Sequence, residues 1–353
     1  MLRHLALLLI VVFLPAPAAF AGKADGRLDI YWIDSEGGGS TLLVTPAGES
    51  ILIDTGNPGG RDSGRIAKVA KEDAKLTQID HVIITHYHRD HFGGAAELSK
   101  LIPIFNLYDN GHHDERKQEA GAGFDEYVKM EVKKRHVIQP GDQLSLLRTV
   151  TNAAPQPLPV TITCLGARQK FIEPTKDHKK NEHELAKNPV RRAEDKSDNA
   201  NSVVLLIRFG DFDFLDCGDL TWNVEEKLVS PFNLVGEVDV YQVNHHGLDA
   251  SNNPLLIQSV KPTVAVFNNG DTKGCQPLAF LAVKAAPSIQ AIYQVHKNLR
   301  KDVQNNSTDE KIANHTKGNE CEGHHVVLSV ERDGKSYKVM VPARKHEAVY
   351  KSK

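Results

Sequence analysis

The 353-residue chain is poor in several features, and each scarcity removes a class of function. Four cysteines are too few for a disulfide scaffold. Aromatic residues make up only 6%, which argues against a long base-stacking platform. Neither charge sign dominates: 43 Lys and Arg stand against 45 Asp and Glu, which disfavours both a strongly basic nucleic-acid binder and an acidic disordered chain. After the first 21 residues, no stretch approaches the roughly 18 apolar residues of a membrane span. A Gly-x-Ser-x-Gly elbow, a phosphate-cradling P-loop and internal repeats are all missing. What is present is histidine, 17 in all, in a chain whose 40% apolar and 25% charged residues are ordinary for a folded protein. The length suits one large α/β domain or two modest ones.

The N-terminus reads as an export signal. Arg3 and His4 precede an apolar run from Leu5 to Leu14, too short to span a bilayer, and Ala19-Phe20-Ala21 offers a small-x-small cleavage site. The expectation is a leader at 1–21, one domain over 22–345 and a tail at 346–353, in a periplasmic or secreted protein with no integral membrane segment after cleavage. Export permits disulfides, and Cys275 and Cys321, both in polar Gly-containing loops, are the candidate pair. Cys164 and Cys217 sit in apolar, strand-like contexts and read as buried thiols.

Strand patterns run from Leu28 to Ile33, Ser40 to Val44, Ser50 to Asp54 and Ile79 to Thr85. Helical spacing covers Ser63 to Leu76 and then about Gly94 to Leu101. Strand and helix patterns keep alternating from Val238 to Val295, and His325–Val330 with Ser336–Val341 reads as a closing hairpin around Asp333-Gly334. Such alternation predicts a layered α/β fold. One segment, 168–198, breaks the pattern. It holds nine Lys or Arg and seven acids, and reads as a mobile surface insertion rather than a DNA clamp.

The most specific signal is Thr85-His86-Tyr87-His88-Arg89-Asp90-His91, between an apolar strand and Gly93-Gly94. His86 and His88 are two apart, so an extended backbone points them the same way, and Asp90 continues that parity. His91 turns in as the helix begins. Imidazoles and a carboxylate converging at a strand end suit zinc, manganese or iron. Two weaker signals, Asp216-Cys217-Gly218-Asp219 and Asn244-His245-His246-Gly247, also follow apolar strands, where α/β folds place their ligands.

These features, with Leu52-Ile53-Asp54-Thr55-Gly56, the Gly-rich turn Glu36-Gly37-Gly38-Gly39-Ser40 and Asn201-Ser202-Val203-Val204, resemble the metallo-β-lactamase fold superfamily. Within it the chain is most similar to the hydrolase domain of ComEC-type DNA-uptake proteins, over about residues 27–295. The resemblance implies an αββα sandwich holding two divalent metal ions, zinc foremost and manganese as the alternative. By position, His86 and His88 hold the first ion. Asp90, His91 and one of His245 or His246, preferentially His246, hold the second, and Asp219 bridges them. Asp198 stands where many members carry a third histidine for the first ion, and Asp54 where they carry an aspartate that orients ligands. Asp90 and His245 are the catalytic candidates, His245 as a hydrogen-bond partner of substrate or a proton donor.

The function this implies is metal-dependent hydrolysis of phosphoesters, nucleic-acid phosphodiesters among them, by a metal-activated water. A lactonase or β-lactamase-like hydrolase is the alternative, and a non-catalytic metal-binding protein a third. A neutral apolar cleft would favour lactones, and cations aimed at the metals would favour phosphate. Of the other histidines, His112, His113 and His296 are candidates to reach the cleft. His315, His324 and His325 flank Cys321 in a spacing that matches no structural-zinc pattern.

Overall fold

A computed structural model describes residues 25–146, 158–302, 305–316 and 318–353, so the expected leader at 1–21 lies outside the described residues. Strands that are apolar on both faces must be covered on both faces. In Leu28–Trp32, residues Leu28, Ile30 and Trp32 enter one buried cluster while Tyr31 enters another. The result is two stacked sheets with helices outside each, the αββα arrangement expected.

Among the described residues the first sheet has nine strands, in the order His346–Lys351, Ser336–Val341, Val326–Val330, Leu28–Trp32, Thr41–Val44, Ser50–Ile53, Ile79–Ile83, Ile104–Asp109 and Lys134–Val137. The second has eight: Ile312–Asn314, Ala291–His296, Val264–Phe267, Val240–Gln242, Phe212–Asp216, Val204–Phe209, Val160–Ala167 and Lys170–Phe171. Between them lies a core that includes Trp32, Ile53, Ile83, Ile207, Phe214, Val266 and Tyr293. Ile66, Leu98, Phe92 and Phe124 cover the outer face of the first sheet. Val224, Leu228, Leu256 and Phe280 cover that of the second. Ser50–Ile53, Ile79–Ile83 and Ile104–Asp109 are parallel, as are Phe212–Asp216, Val240–Gln242, Val264–Phe267 and Ala291–His296. The loops that carry chemistry leave the C-terminal ends of these strands.

Several expectations need correction. Residues 346–351 are no tail: they pair with Ser336–Val341 from Val341↔His346 to Ser336↔Lys351 as an edge strand. The helix expected from Ser63 to Leu76 runs over Arg61–Lys68 and widens into a π-turn at Val69–Asp73. All four cysteines are free, so Cys275 and Cys321 are not bridged. The 168–198 segment is a surface segment with no buried residue from 168 to 197, but it is tied down. Asn181 donates to the Val229 carbonyl and Ser259 Oγ, and the Arg192 guanidinium stacks 3.4 Å above the Trp222 ring. Among the described residues no helix is long and apolar enough to cross a membrane.

Candidate metal centre

The loop after Ile79–Ile83 is anchored from below by Asp54. Asp54 Oδ1 accepts the Thr85 N–H at 2.8 Å, and Oδ2 accepts the Thr85 hydroxyl at 2.8 Å and lies 2.7 Å from His91 Nδ1. Asp54 adopts a left-handed φ of 62°, an uncommon state for a non-glycine residue that its three hydrogen bonds offset. The His91 carbonyl accepts both the N–H and the hydroxyl of Thr55. Two glycines make room for this packing. A Cβ on Gly39 would lie 2.7 Å from both Asp54 Oδ2 and His91 Nδ1, and one on Gly94 would lie 2.2 Å from the Thr55 carbonyl.

Three strand ends then bring their side chains to one point. Asp219 Oδ2 lies 3.1 Å from His91 Nε2, 3.3 Å from His246 Nε2, 3.5 Å from His245 Nε2 and 3.8 Å from His86 Nε2. Asp90 Oδ2 is 3.3 Å from His91 Nε2 and 3.2 Å from His246 Nε2. Asp90, His91, Asp219 and His246 each offer one ligand atom within 4.8 Å of all the others. His245 and His246 reach this point because both take left-handed backbone angles, with φ of 54° and 55°. The turn carrying them is clamped by buried Glu225, whose carboxylate accepts from Asn244 Nδ2, Asn252 N and Asn253 N at 2.6–2.8 Å.

Each ring is held by its far nitrogen. His91 Nδ1 donates to Asp54, His246 Nδ1 to the Asn268 carbonyl at 3.1 Å, and His86 Nδ1 to Thr85 Oγ1 at 3.1 Å. This assignment leaves Nε2 of all three facing the common point, as metal-ligating histidines require. His86 Nε2 is buried without a hydrogen-bond partner, an orphan that a cation would satisfy. Burial, then the charge of His91, holds the His86 ring well below the usual imidazole range. Burial would push the Asp219 carboxyl up, but His246, His91 and His245 hold it well below the carboxylate range. Asp90 is held well below in the same way, against its burial, chiefly by His91. Against their own burial, Asp219 and other carboxylates raise His91 and His246. Without a metal, protons on these rings supply the positive charge between the carboxylates. The donor set therefore fits a divalent cation.

Two expected ligands have other partners, although the His88 ring stands edge-on to that of His86, with centroids 4.8 Å apart. His88 Nε2 lies 3.0 Å from Glu119 Oε1, with a quarter of its side chain exposed. Asp198 is held by other groups: Oδ2 accepts the Tyr87 N–H at 2.6 Å, and Oδ1 accepts from Asn201 Nδ2 and pairs with Arg116 at 3.1 Å. The Asp198 N–H itself donates to Glu119. Of the first-ion set only His86 faces Asp219. His245 Nε2 accepts from Asn199 Nδ2 at 3.3 Å, and its Nδ1 is 3.1 Å from Ser251 Oγ. Among the other histidines, His113 pairs with Asp109, His112 with Glu115, and His296 with Asp34 rather than the cleft. Sequence reasoning missed Glu119 and Arg116, which lie on a polar helix, His113–Ala120, with no apolar periodicity. It also missed Lys273, whose Nζ pairs with Asp90 Oδ2 at 2.5 Å from a loop with no ligand-like motif.

Residues 34–266 match the model of the metallo-beta-lactamase superfamily. The chain belongs to that superfamily. Recombination protein 2 of Haemophilus influenzae is 33% identical over 238 residues, covering 66% of this chain and 23% of that protein. Competence protein ComA of Neisseria gonorrhoeae is 24% identical over 271 residues, 76% of this chain and 30% of that one. A UPF0173 metal-dependent hydrolase of Cupriavidus metallidurans is 32% identical over 95 residues, 26% of this chain and 30% of the relative. The chain thus spans less than a third of the length of each of these relatives. A metallo-β-lactamase from Cronobacter sakazakii aligns with a TM-score of 0.35 at 16% identity, covering 63% of this chain and 78% of that one. In this superfamily chain, Asp219 occupies the position from which one carboxylate oxygen addresses four imidazoles, and Asp54 acts through His91 and Thr85 rather than on the cluster.

Proposed function

We propose that this chain is an exported hydrolase that uses two divalent metal ions, zinc foremost with manganese as the alternative, to cleave phosphoesters. The observation that carries the substrate class is Lys273. Its ammonium, 41% exposed, sits on Asp90 at the mouth of the cluster, where an anionic group of substrate would meet it. A cation there supports an anionic ester over a neutral lactone. Near-neutral overall charge supports a small or flexible phosphodiester over a duplex.

When bound, divalent ions acidify water and polarise the scissile group. The residues do the rest. His86, His91, His246, Asp90 and Asp219 would hold the ions. Asp54, Thr85 and the Asn268 carbonyl fix the ring orientations. Burial lowers His245 to about 4, so it faces the same space as a neutral ring that hydrogen-bonds substrate. The leader-like pattern in residues 1–21 supports export.

The test is hydrolysis of bis-p-nitrophenyl phosphate by protein reloaded with zinc or manganese. Turnover that a chelator abolishes, with KM raised several-fold in Lys273→Ala, is expected. No turnover from protein holding two metals overturns the phosphoester reading. Lactams and lactones bearing a carboxylate, which Lys273 also suits, then come first.

A further inference from the structure

We propose that Asp34, Glu36, His296 and Cys321 form a second metal site, separate from the reaction centre and suited to zinc. The four come from distant parts of the chain. Asp34 and Glu36 follow Leu28–Trp32 in the first sheet, His296 ends Ala291–His296 in the second, and Cys321 lies in the loop before Val326–Val330. Each offers one ligand atom, and all four atoms lie within 4.8 Å of one another.

Three of these residues pack closely, Asp34 using one oxygen toward each of the other two. His296 Nε2 is 3.0 Å from Asp34 Oδ1, Cys321 Sγ is 3.2 Å from Asp34 Oδ2, and Cys321 Sγ is 3.6 Å from His296 Nε2. Ligands bound tetrahedrally at ordinary Zn–N, Zn–O and Zn–S distances stand about 3.3–3.6 Å apart, so small adjustments would seat the ion. A thiolate, an imidazole and carboxylates are zinc's own donor types, and the thiolate discriminates against calcium and magnesium. Asp34 and His296 are fully buried, which removes water as a competitor for their lone pairs.

The charges also balance. Asp34, Glu36 and a Cys321 thiolate bring three negative charges. A divalent ion and the Arg65 guanidinium offset them. Arg65 is built into the cluster's outer side: Nη1 lies 2.8 Å from Asp34 Oδ2 and 3.4 Å from Glu36 Oε1, and Nη2 donates to the Cys321 carbonyl at 3.1 Å.

No residue is shared with the reaction centre, yet the two are adjacent through the Gly-rich turn. Glu36 leads into Gly37, Gly38 and Gly39. Gly39 N–H donates to the Asp90 carbonyl at 2.9 Å, and Gly39 abuts His91. An ion held by Glu36 would pin this turn while clipping the loop at Cys321 to both sheets.

The experiment is cobalt substitution of the full protein. Cys321 is the only thiol in either cluster; Cys164, Cys217 and Cys275 are buried and contribute no ligand atom to either. A sulfur-to-cobalt charge-transfer band therefore reports this site alone, whatever the substrate of the reaction centre. The expected result is that band in the native protein, its loss in Cys321→Ser together with one metal equivalent per chain, and its retention in Cys275→Ser and Asp219→Ala. The absence of the band in cobalt-saturated native protein, or its persistence in Cys321→Ser, overturns the proposal. The first of these needs no variant to fold.

Discussion

Asp54→Asn tests the role of a residue that never faces the cluster. The buried carboxylate serves three hydrogen atoms: Thr85 N–H, Thr85 O–H and His91 Nδ1–H. An amide has one oxygen and one NH2. If its oxygen keeps Thr85 N–H, its NH2 faces His91 Nδ1, which must then accept. The ring proton moves to Nε2, pointing at Asp90, Asp219 and His246, where it blocks metal ligation. If the amide flips, its NH2 opposes the Thr85 N–H 2.8 Å away, a buried donor–donor clash. Either way one buried partnership is lost, at a cost of about 1–3 kcal/mol. Disturbing such a partner of a ligating histidine typically weakens metal binding about 10–100-fold, or about 1.4–2.8 kcal/mol. Chelator-competition titration reads the affinity, and thermal unfolding with and without metal reads both terms. A variant with native metal affinity and an unchanged Tm would refute the tautomer argument.

Asp219→Ala removes the oxygen shared by four imidazoles, and should cut activity at least about 100-fold while circular dichroism stays native. Native turnover in that variant would remove Asp219 from the bridge. Glu225→Ala leaves three buried donors of the 244–253 turn unsatisfied, and is expected to cost at least about 3 kcal/mol in urea unfolding. Asp29 gives a pH signature. Burial raises its carboxyl from 3.8 to about 7, so its contribution to stability is fully present below about 4 and is lost as pH rises through about 7. Asp29→Asn should therefore gain on the order of 3 kcal/mol over the native protein at pH 8 relative to pH 4, read from urea midpoints. An equal offset at both pH values would contradict it.

The strand patterns and the cluster that follows them were legible in the sequence because both are local. Alternation through Leu28–Trp32 and Ile79–Ile83 specifies two buried faces whatever lies opposite, and His86, Asp90 and His91 share one short turn. The Gly218-Asp219 and His245-His246-Gly247 signals were readable for the same reason: each sits where an apolar strand stops. What only tertiary structure decided involves partners far apart in the chain. His88 and Asp198 look like ligands by position, and only the fold shows that the helix bearing Arg116 and Glu119 brings Glu119 within 3.0 Å of His88 Nε2 and Arg116 within 3.1 Å of Asp198. Lys273 reaches Asp90 across 183 residues. Cys321 meets Asp34 and His296 instead of Cys275 because the two sheets converge there. Residues 346–351 alternate half-buried and exposed side chains too polar to stand out. They become a strand only because Ser336–Val341 offers an open edge and Tyr350 packs on Tyr293 and Tyr337. A periodic pattern records which faces will be buried, whereas pairing between distant charges depends on where the sheets bring them.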